Sequence, residues 1–215
     1  MARVKTAILI SGRGSNMAAL LSAARAEDYP AEIVLVISND PDAAGLELAR
    51  SNGVDTAVVN HKDYDGREAF EAALTEVLKA AGAEIVCLAG FMRLLTDSFV
   101  DEWRNRLINI HPSLLPAFKG LNTHARALSA GVRIHGATVH FVRPNMDEGP
   151  IIVQAAVPVV AGDTEQSLAD RVLEVEHKIY PMALSWVASQ RARIVDERVV
   201  IDSDGKPGQV LIVPG

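Results

Sequence analysis

Short apolar runs alternate with helical stripes over the first half of the chain. Residues 4–10 predict a first strand and residues 15–26 a helix. Residues 32–37 predict a second strand, ended by Asn39-Asp40-Pro41. A helix over 43–51 stops at Gly53, and 55–60 is a short strand. From Arg67 onward, Phe70, Leu74, Val77, Leu78 and Ala81 recur at helical spacing, and Gly82 closes the stripe. Residues 84–89 and 107–110 are runs short and apolar enough to be buried strands. Strands alternating with helices in this way imply an α/β fold: a doubly wound, mostly parallel sheet with right-handed crossovers.

The second half has a different texture. Residues 136–142 and 151–158 predict two strands joined by a polar turn from Arg143 to Pro150, so the expected sheet has a mixed C-terminal part. Asp163-Thr164-Glu165-Gln166 has the form of a capped helix start, and Leu168, Val172, Val175 and Ile179 continue it as a stripe. Pro181 is expected to kink or end that helix, with 182–189 as its continuation. Residues 194–213 predict short strands around Asp204-Gly205. No repeat or flexible linker divides the chain. The expectation is therefore one domain over 1–190 and a tail over 191–215, of short strands packed on it.

Composition narrows the class. Hydrophobic residues make up 49% of the 215 residues but aromatics only 5%. The core must then be mostly Val, Ile, Leu and Ala, which suits a parallel sheet buried on both faces. A net charge of −6 without a basic run argues against nucleic acid as the partner. The single cysteine, Cys87, lies in an apolar run and excludes both an internal disulfide and a cysteine-based metal cage. The apolar start of the chain is shorter than a signal sequence core, and no stretch approaches the roughly twenty residues of a membrane span. A cytoplasmic protein is expected.

The chemistry concentrates in Asn109-Ile110-His111-Pro112-Ser113-Leu114-Leu115-Pro116. Asn109 and His111, two residues apart at a strand end, share one face. The prolines then force the chain out of the sheet. An amide and a titratable ring aimed at one point suit a carbonyl that gains negative charge, as in acyl or formyl transfer. Asp147, in the polar turn, is the candidate carboxylate to orient the ring and favour its charged form. Taken alone, His111 reads equally as a hydrogen-bonded loop histidine. Gly12-Arg13-Gly14-Ser15-Asn16 joins the first strand to the first helix and reads either as an anion site or as a tight structural turn. It lacks the third glycine of a dinucleotide fingerprint and the Lys-Ser/Thr of a P-loop. His135 and His140, five apart on a strand, point to opposite faces, which suggests structural roles. His61, His124 and His177 have no ligand spacing, so no metal is expected. Phe91-Met92-Arg93-Leu94-Leu95 follows a strand end and caps the core or lines a ligand. Glu176 by itself is a solvated helix carboxylate, and Arg67 a helix-start arginine.

Taken together, residues 8–16, 88–95, 109–116, 135–142, 147–150 and 176–181 closely resemble the folate-dependent glycinamide ribonucleotide transformylases (phosphoribosylglycinamide formyltransferases) of the formyltransferase superfamily. The resemblance extends from residue 4 to about residue 190. It implies a Rossmann-like formyltransferase fold. It also implies transfer of the formyl group of 10-formyltetrahydrofolate to the amine of glycinamide ribonucleotide in purine synthesis, by direct attack and without metal. On this resemblance Asn109, His111 and Asp147 are catalytic. Gly14, Ser15, Asn16 and Glu176 hold the ribonucleotide. Arg67, Met92, Arg93, Leu94, Leu95 and Arg143 join Asn109 and Asp147 around the folate. A cis bond at Leu115-Pro116 and a monomer or homodimer are further implications. Arg13 and Leu173 depart from the family's usual residues, which suggests extra anion affinity at the first and one altered ribose contact at the second.

Four rival readings remain at this level, one of them a sugar-nucleotide formyltransferase, which is usually longer and lacks this phosphate loop. A formyltetrahydrofolate deformylase uses the same trio but carries an N-terminal regulatory domain, for which no room is expected before Val4. A methionyl-tRNA formyltransferase carries an RNA-binding barrel. A non-catalytic folate- or nucleotide-binding module has no need of the trio.

Overall fold

The computed structural model describes residues 2–202. Nine strands and six α-helices run in the order β1 (Val4–Ile10), α1 (Ser15–Ala23), β2 (Ala31–Ser38), α2 (Ala44–Ser51), β3 (Thr56–Val58), α3 (Arg67–Ala80), β4 (Ile85–Leu88), α4 (Asp97–Glu102), β5 (Leu107–His111), α5 (Thr123–Ala130), β6 (Ile134–Phe141), β7 (Ile151–Pro158), α6 (Glu165–Ala188), β8 (Ala192–Val195) and β9 (Arg198–Ile201). The first seven strands form one sheet in the order β3-β2-β1-β4-β5-β6-β7. Neighbours from β3 to β5 pair in parallel, whereas β6 runs antiparallel to both β5 and β7.

Alternation along β1 shows why the strand is apolar from Ala7 to Ile10. Ile8 and Ile10 face one layer, with Leu20, Leu46 and Leu184. Ala7 and Leu9 face the other, with Phe70, Leu74, Leu78 and Trp103. A strand covered on both faces reads as a near-continuous apolar run rather than an alternating one. The strand order reverses direction between β1 and β4, which opens a crevice at their carboxyl ends. There the Ser11 amide donates to Gly90 O at 3.1 Å.

Three features differ from the sequence reading. Helix α6 continues unbroken through Pro181. An interior proline costs about 3 kcal/mol, but Ile179, Tyr180, Ala183 and Leu184 around it are all buried. The Tyr180 hydroxyl lies 2.9 Å from Leu88 O and 3.2 Å from Ile108 O, fastening the helix to the ends of β4 and β5. Helices α4 and α5 are too short to leave a stripe in the sequence. Thr96 caps the first, its hydroxyl accepting from Phe99 N, and Gly131 at φ 65° ends the second. In the tail, β8 and β9 form an antiparallel hairpin that reverses through Asp196 and Glu197. The expected turn at Asp204-Gly205 lies outside the described residues. Among the described residues, no helix is long and apolar enough to cross a membrane.

Candidate active site

Strand β5 delivers Asn109 and His111 to one face at the carboxyl end of the sheet. Antiparallel pairing with β6 sets His140 opposite Asn109 and Thr138 opposite His111. Beyond His111 the prolines release the chain, and polar groups from β6 and β7 hold the resulting loop. The Thr138 hydroxyl donates to Ser113 O at 2.7 Å and accepts from Leu115 N at 3.1 Å. Gln154 Nε2 donates to Leu115 O at 2.9 Å. The Leu115-Pro116 bond is cis, as the resemblance implied.

Asp147 reaches this point from the turn between β6 and β7, with a left-handed φ of 57°. Its Oδ2 stands 3.5 Å from His111 Nδ1 and accepts the Gly120 amide at 2.8 Å. His111 Nε2 lies 3.1 Å from Phe118 O, so that nitrogen carries its hydrogen toward the carbonyl. The ring is thus held between two acceptors, with 6% of the residue exposed. The structure brings Asn109, His111 and Asp147 together, although Asp147 is distant in sequence.

His140 is the member that sequence reasoning missed. Its Nδ1 lies 2.9 Å from the carbonyl of Phe141, which assigns the hydrogen to Nδ1. Burial pushes its pKa down to about 4, so the ring is neutral near pH 7. The bare Nε2 can then accept from Asn109 Nδ2 at 3.3 Å. This contact fixes which end of the Asn109 amide is nitrogen and leaves its second N–H to point elsewhere. His140 Nε2 also stands 3.9 Å from Asp147 Oδ1. The signal for its role is its register opposite Asn109, which spacing between histidines does not capture.

The loop of residues 12–16 enters α1 through Gly14, at φ 76°. A Cβ there would lie 3.2 Å from Gly45 Cα, so the turn needs glycine for both its dihedral and its packing. The first turn of α1 has no side-chain cap and no acidic residue, so its amides present partial positive charge. Asn16 Nδ2 donates to Glu176 Oε2 at 2.8 Å, and Asn16 Oδ1 is buried without a partner among the described residues. Glu176 is buried rather than solvated. Desolvation raises its pKa to about 7, against the opposing pull of the Asn16 hydrogen bond.

The remaining candidates line the crevice unevenly. Met92 and Leu94 are exposed at 66% and 64%, as is Arg93, while Leu95 packs against the core. The Met92 amide donates to Ser11 Oγ at 2.8 Å, and Ser11 Oγ donates to Asn39 Oδ1 at 2.5 Å. Ser11 therefore links this loop to the one that carries Gly14. Arg67 is exposed at the first turn of α3. The Arg143 side chain engages Glu197, Asn105 and Val142 O. Among the described residues no group of three or more His, Cys, Asp or Glu side chains could hold a metal ion. Chemically, the arrangement offers an oriented amide donor, an imidazole paired with a carboxylate, and an anion-attracting helix end.

Residues 4–184 match the Formyl transferase family. The chain is 51% identical over 192 residues to the trifunctional purine biosynthetic protein adenosine-3 of Bos taurus, which covers 89% of this chain. It spans only 19% of that relative's length. It is 43% identical over 202 residues to the phosphoribosylglycinamide formyltransferase of Escherichia coli (strain K12), covering 94% of this chain and 95% of that one. The crystal structure of glycinamide ribonucleotide transformylase 1 from Symbiobacterium toebii superposes with a TM-score of 0.90 at 48% identity, covering 93% of this chain and 94% of that one.

Proposed function

The chain belongs to the formyl transferase family, and from that premise we propose that it transfers the formyl group of 10-formyltetrahydrofolate to the primary amine of 5-phosphoribosylglycinamide. The products are N-formylglycinamide ribonucleotide and tetrahydrofolate, in purine biosynthesis. The observation that carries this reading is the convergence of Asn109, His111 and Asp147, 3.5 Å between ring and carboxylate, at the carboxyl edge of the sheet. The full-length similarity to the Escherichia coli enzyme supports it.

In this mechanism the neutral amine attacks the formyl carbon, and the carbonyl oxygen becomes an oxyanion. Asn109 donates its second amide hydrogen to that oxygen, while its first stays on His140. His111 leaves Phe118 O, stabilises the same charge and supplies a proton to the folate nitrogen as the carbon–nitrogen bond breaks. Asp147 orients the ring throughout. The proton lost by the attacking amine balances the one gained by the folate nitrogen. Losing one oxyanion donor costs on the order of 100- to 1,000-fold in rate. No covalent intermediate forms on the protein.

Gly14, Ser15 and Asn16 hold the phosphate at the uncapped start of α1, and Glu176 meets the ribose or glycinamide end beside Asn16. Met92 to Leu95, Arg67, and the turn from Arg143 to Asp147 receive the folate. Residues 1–190 act as one catalytic unit, with 191–215 as its tail. The protein works in the cytoplasm on small molecules, as a monomer or homodimer.

Absorbance at the folate band, recorded with and without the amine, tests this reading. Amine-dependent release of tetrahydrofolate with formylated product is expected. Release without amine, yielding formate, would instead identify a hydrolase.

A further inference from the structure

The C-terminal hairpin turns through two non-glycine residues in the left-handed region, Asp196 at φ 49° and Glu197 at φ 55°. Such a turn forms at lower cost with Asn-Gly. The glutamate that occupies the costly position is fully employed. Its Oε2 accepts from Arg143 Nε at 2.7 Å, and its Oε1 from Arg104 Nη2 at 2.9 Å and Arg143 Nη2 at 3.4 Å. These guanidinium groups hold the Glu197 carboxyl below its ordinary range.

Arg143 is the first residue of the turn that carries Asp147. Its side chain is 9% exposed, and every guanidinium nitrogen has a partner: Nε on Glu197, Nη1 on Val142 O at 3.0 Å, and Nη2 on Asn105 Oδ1 at 2.8 Å. The far end of the turn is closed separately. A Cβ on Gly149 would lie 1.6 Å from Phe141 O, so that backbone is pressed directly onto β6. Residues 144–148 run between these two ends, with Asp147 accepting the Gly120 amide at 2.8 Å and Glu148 accepting from Lys119 Nζ at 2.7 Å between them. The Arg143 end is the one the hairpin reaches, through Glu197.

We propose that the β8–β9 hairpin is a brace for the folate-binding turn, with Glu197 a positioning residue that acts through Arg143 to set the orientation of Asp147. The inference rests on the transferase reading for its kinetic consequence but not for its structural one. With the anchor in place, the turn enters the complex already ordered, and little chain entropy is lost on folate binding. Without it, the ordering cost falls on the folate step alone, because the phosphate loop follows β1, three strands from β6, and shares no hydrogen bond with Glu197.

The variant to make is Glu197→Gln, with Arg104→Ala as the control that removes the other ion pair of Glu197. Two readouts are needed. In Glu197→Gln, amide hydrogen exchange over residues 144–149 should quicken while exchange in α1 stays unchanged. The KM for 10-formyltetrahydrofolate should rise roughly threefold to tenfold, the usual size of such coupling, with the KM for the amine substrate unaltered. Arg104→Ala should match the parent in both. Equal exchange over 144–149 in Glu197→Gln and parent would overturn the brace, whatever the activity. Faster exchange with equal rises in both KM values would overturn its specificity for folate. If the parent releases no tetrahydrofolate, the transferase reading fails, and the exchange result still decides the brace.

Discussion

At the scale of the residue, the informative pair is one histidine and one glutamate, each set in its state by its surroundings. His140 is kept neutral by burial and its Nδ1 hydrogen is spent on Phe141 O, so its Nε2 is left as an acceptor for Asn109. Asn109 and His111 were legible in the sequence because a two-residue spacing at a strand end has one geometric meaning. The contact of His140 with Asn109 and the burial of Glu176 were not. The first depends on a cross-strand register and the second on the layer that α6 buries, neither of which a local pattern encodes. Glu176 yields a prediction. Its folded-state pKa of about 7 lies above the ordinary 4.5, so the fold binds this proton more tightly than the unfolded chain does. Its contribution to stability is complete below about pH 4.5 and is lost as pH rises through 7. Glu176→Gln keeps an acceptor for Asn16 and cannot titrate. Between pH 5 and pH 8 its unfolding free energy in urea should fall less than the parent's, by roughly 2 kcal/mol. Parallel pH profiles for the two proteins would show that the carboxyl is not held in its acid form.

At the scale of the element, α6 does the most to connect fold and site. It carries Glu176 on one turn and Tyr180, fastened to β4 and β5, on the next. Its start was legible as a capping sequence, and a capping box is what forms: Ser167 N donates to the Thr164 hydroxyl at 3.1 Å while Thr164 N donates to Ser167 Oγ at 3.0 Å. Of the two outcomes open at Pro181, an end or a continuation, the structure has the continuation; propensity could not choose, because the tertiary burial that outweighs the lost hydrogen bond is invisible to it. Thr164→Ala should therefore destabilise the protein by about 1 kcal/mol in chemical denaturation. Turnover at saturating substrate should be unchanged, since the cap is remote from Asn109 and His111. A loss of turnover without a loss of stability would mean that α6 shifts as a rigid body when its start frays.

At the scale of the whole molecule, the alternation of strands and helices was enough to predict a doubly wound sheet, and with it the carboxyl edge at which Asn109 and His111 stand. Sequence did not disclose how β6 and β7 return antiparallel to bring His140 and Asp147 back against β5, since long-range pairing leaves no mark in local periodicity. That return converts the strand-end pair Asn109 and His111 into a site with a carboxylate behind the ring. The central claim is that this cluster performs the chemistry while the phosphate loop binds independently. The most direct test is single-turnover formyl transfer by His111→Ala, paired with calorimetric binding of 5-phosphoribosylglycinamide to the same variant. Binding within about twofold of the parent is expected, with a transfer rate lower by on the order of 100-fold or more. Transfer at the parent's rate, with binding intact, would contradict that claim.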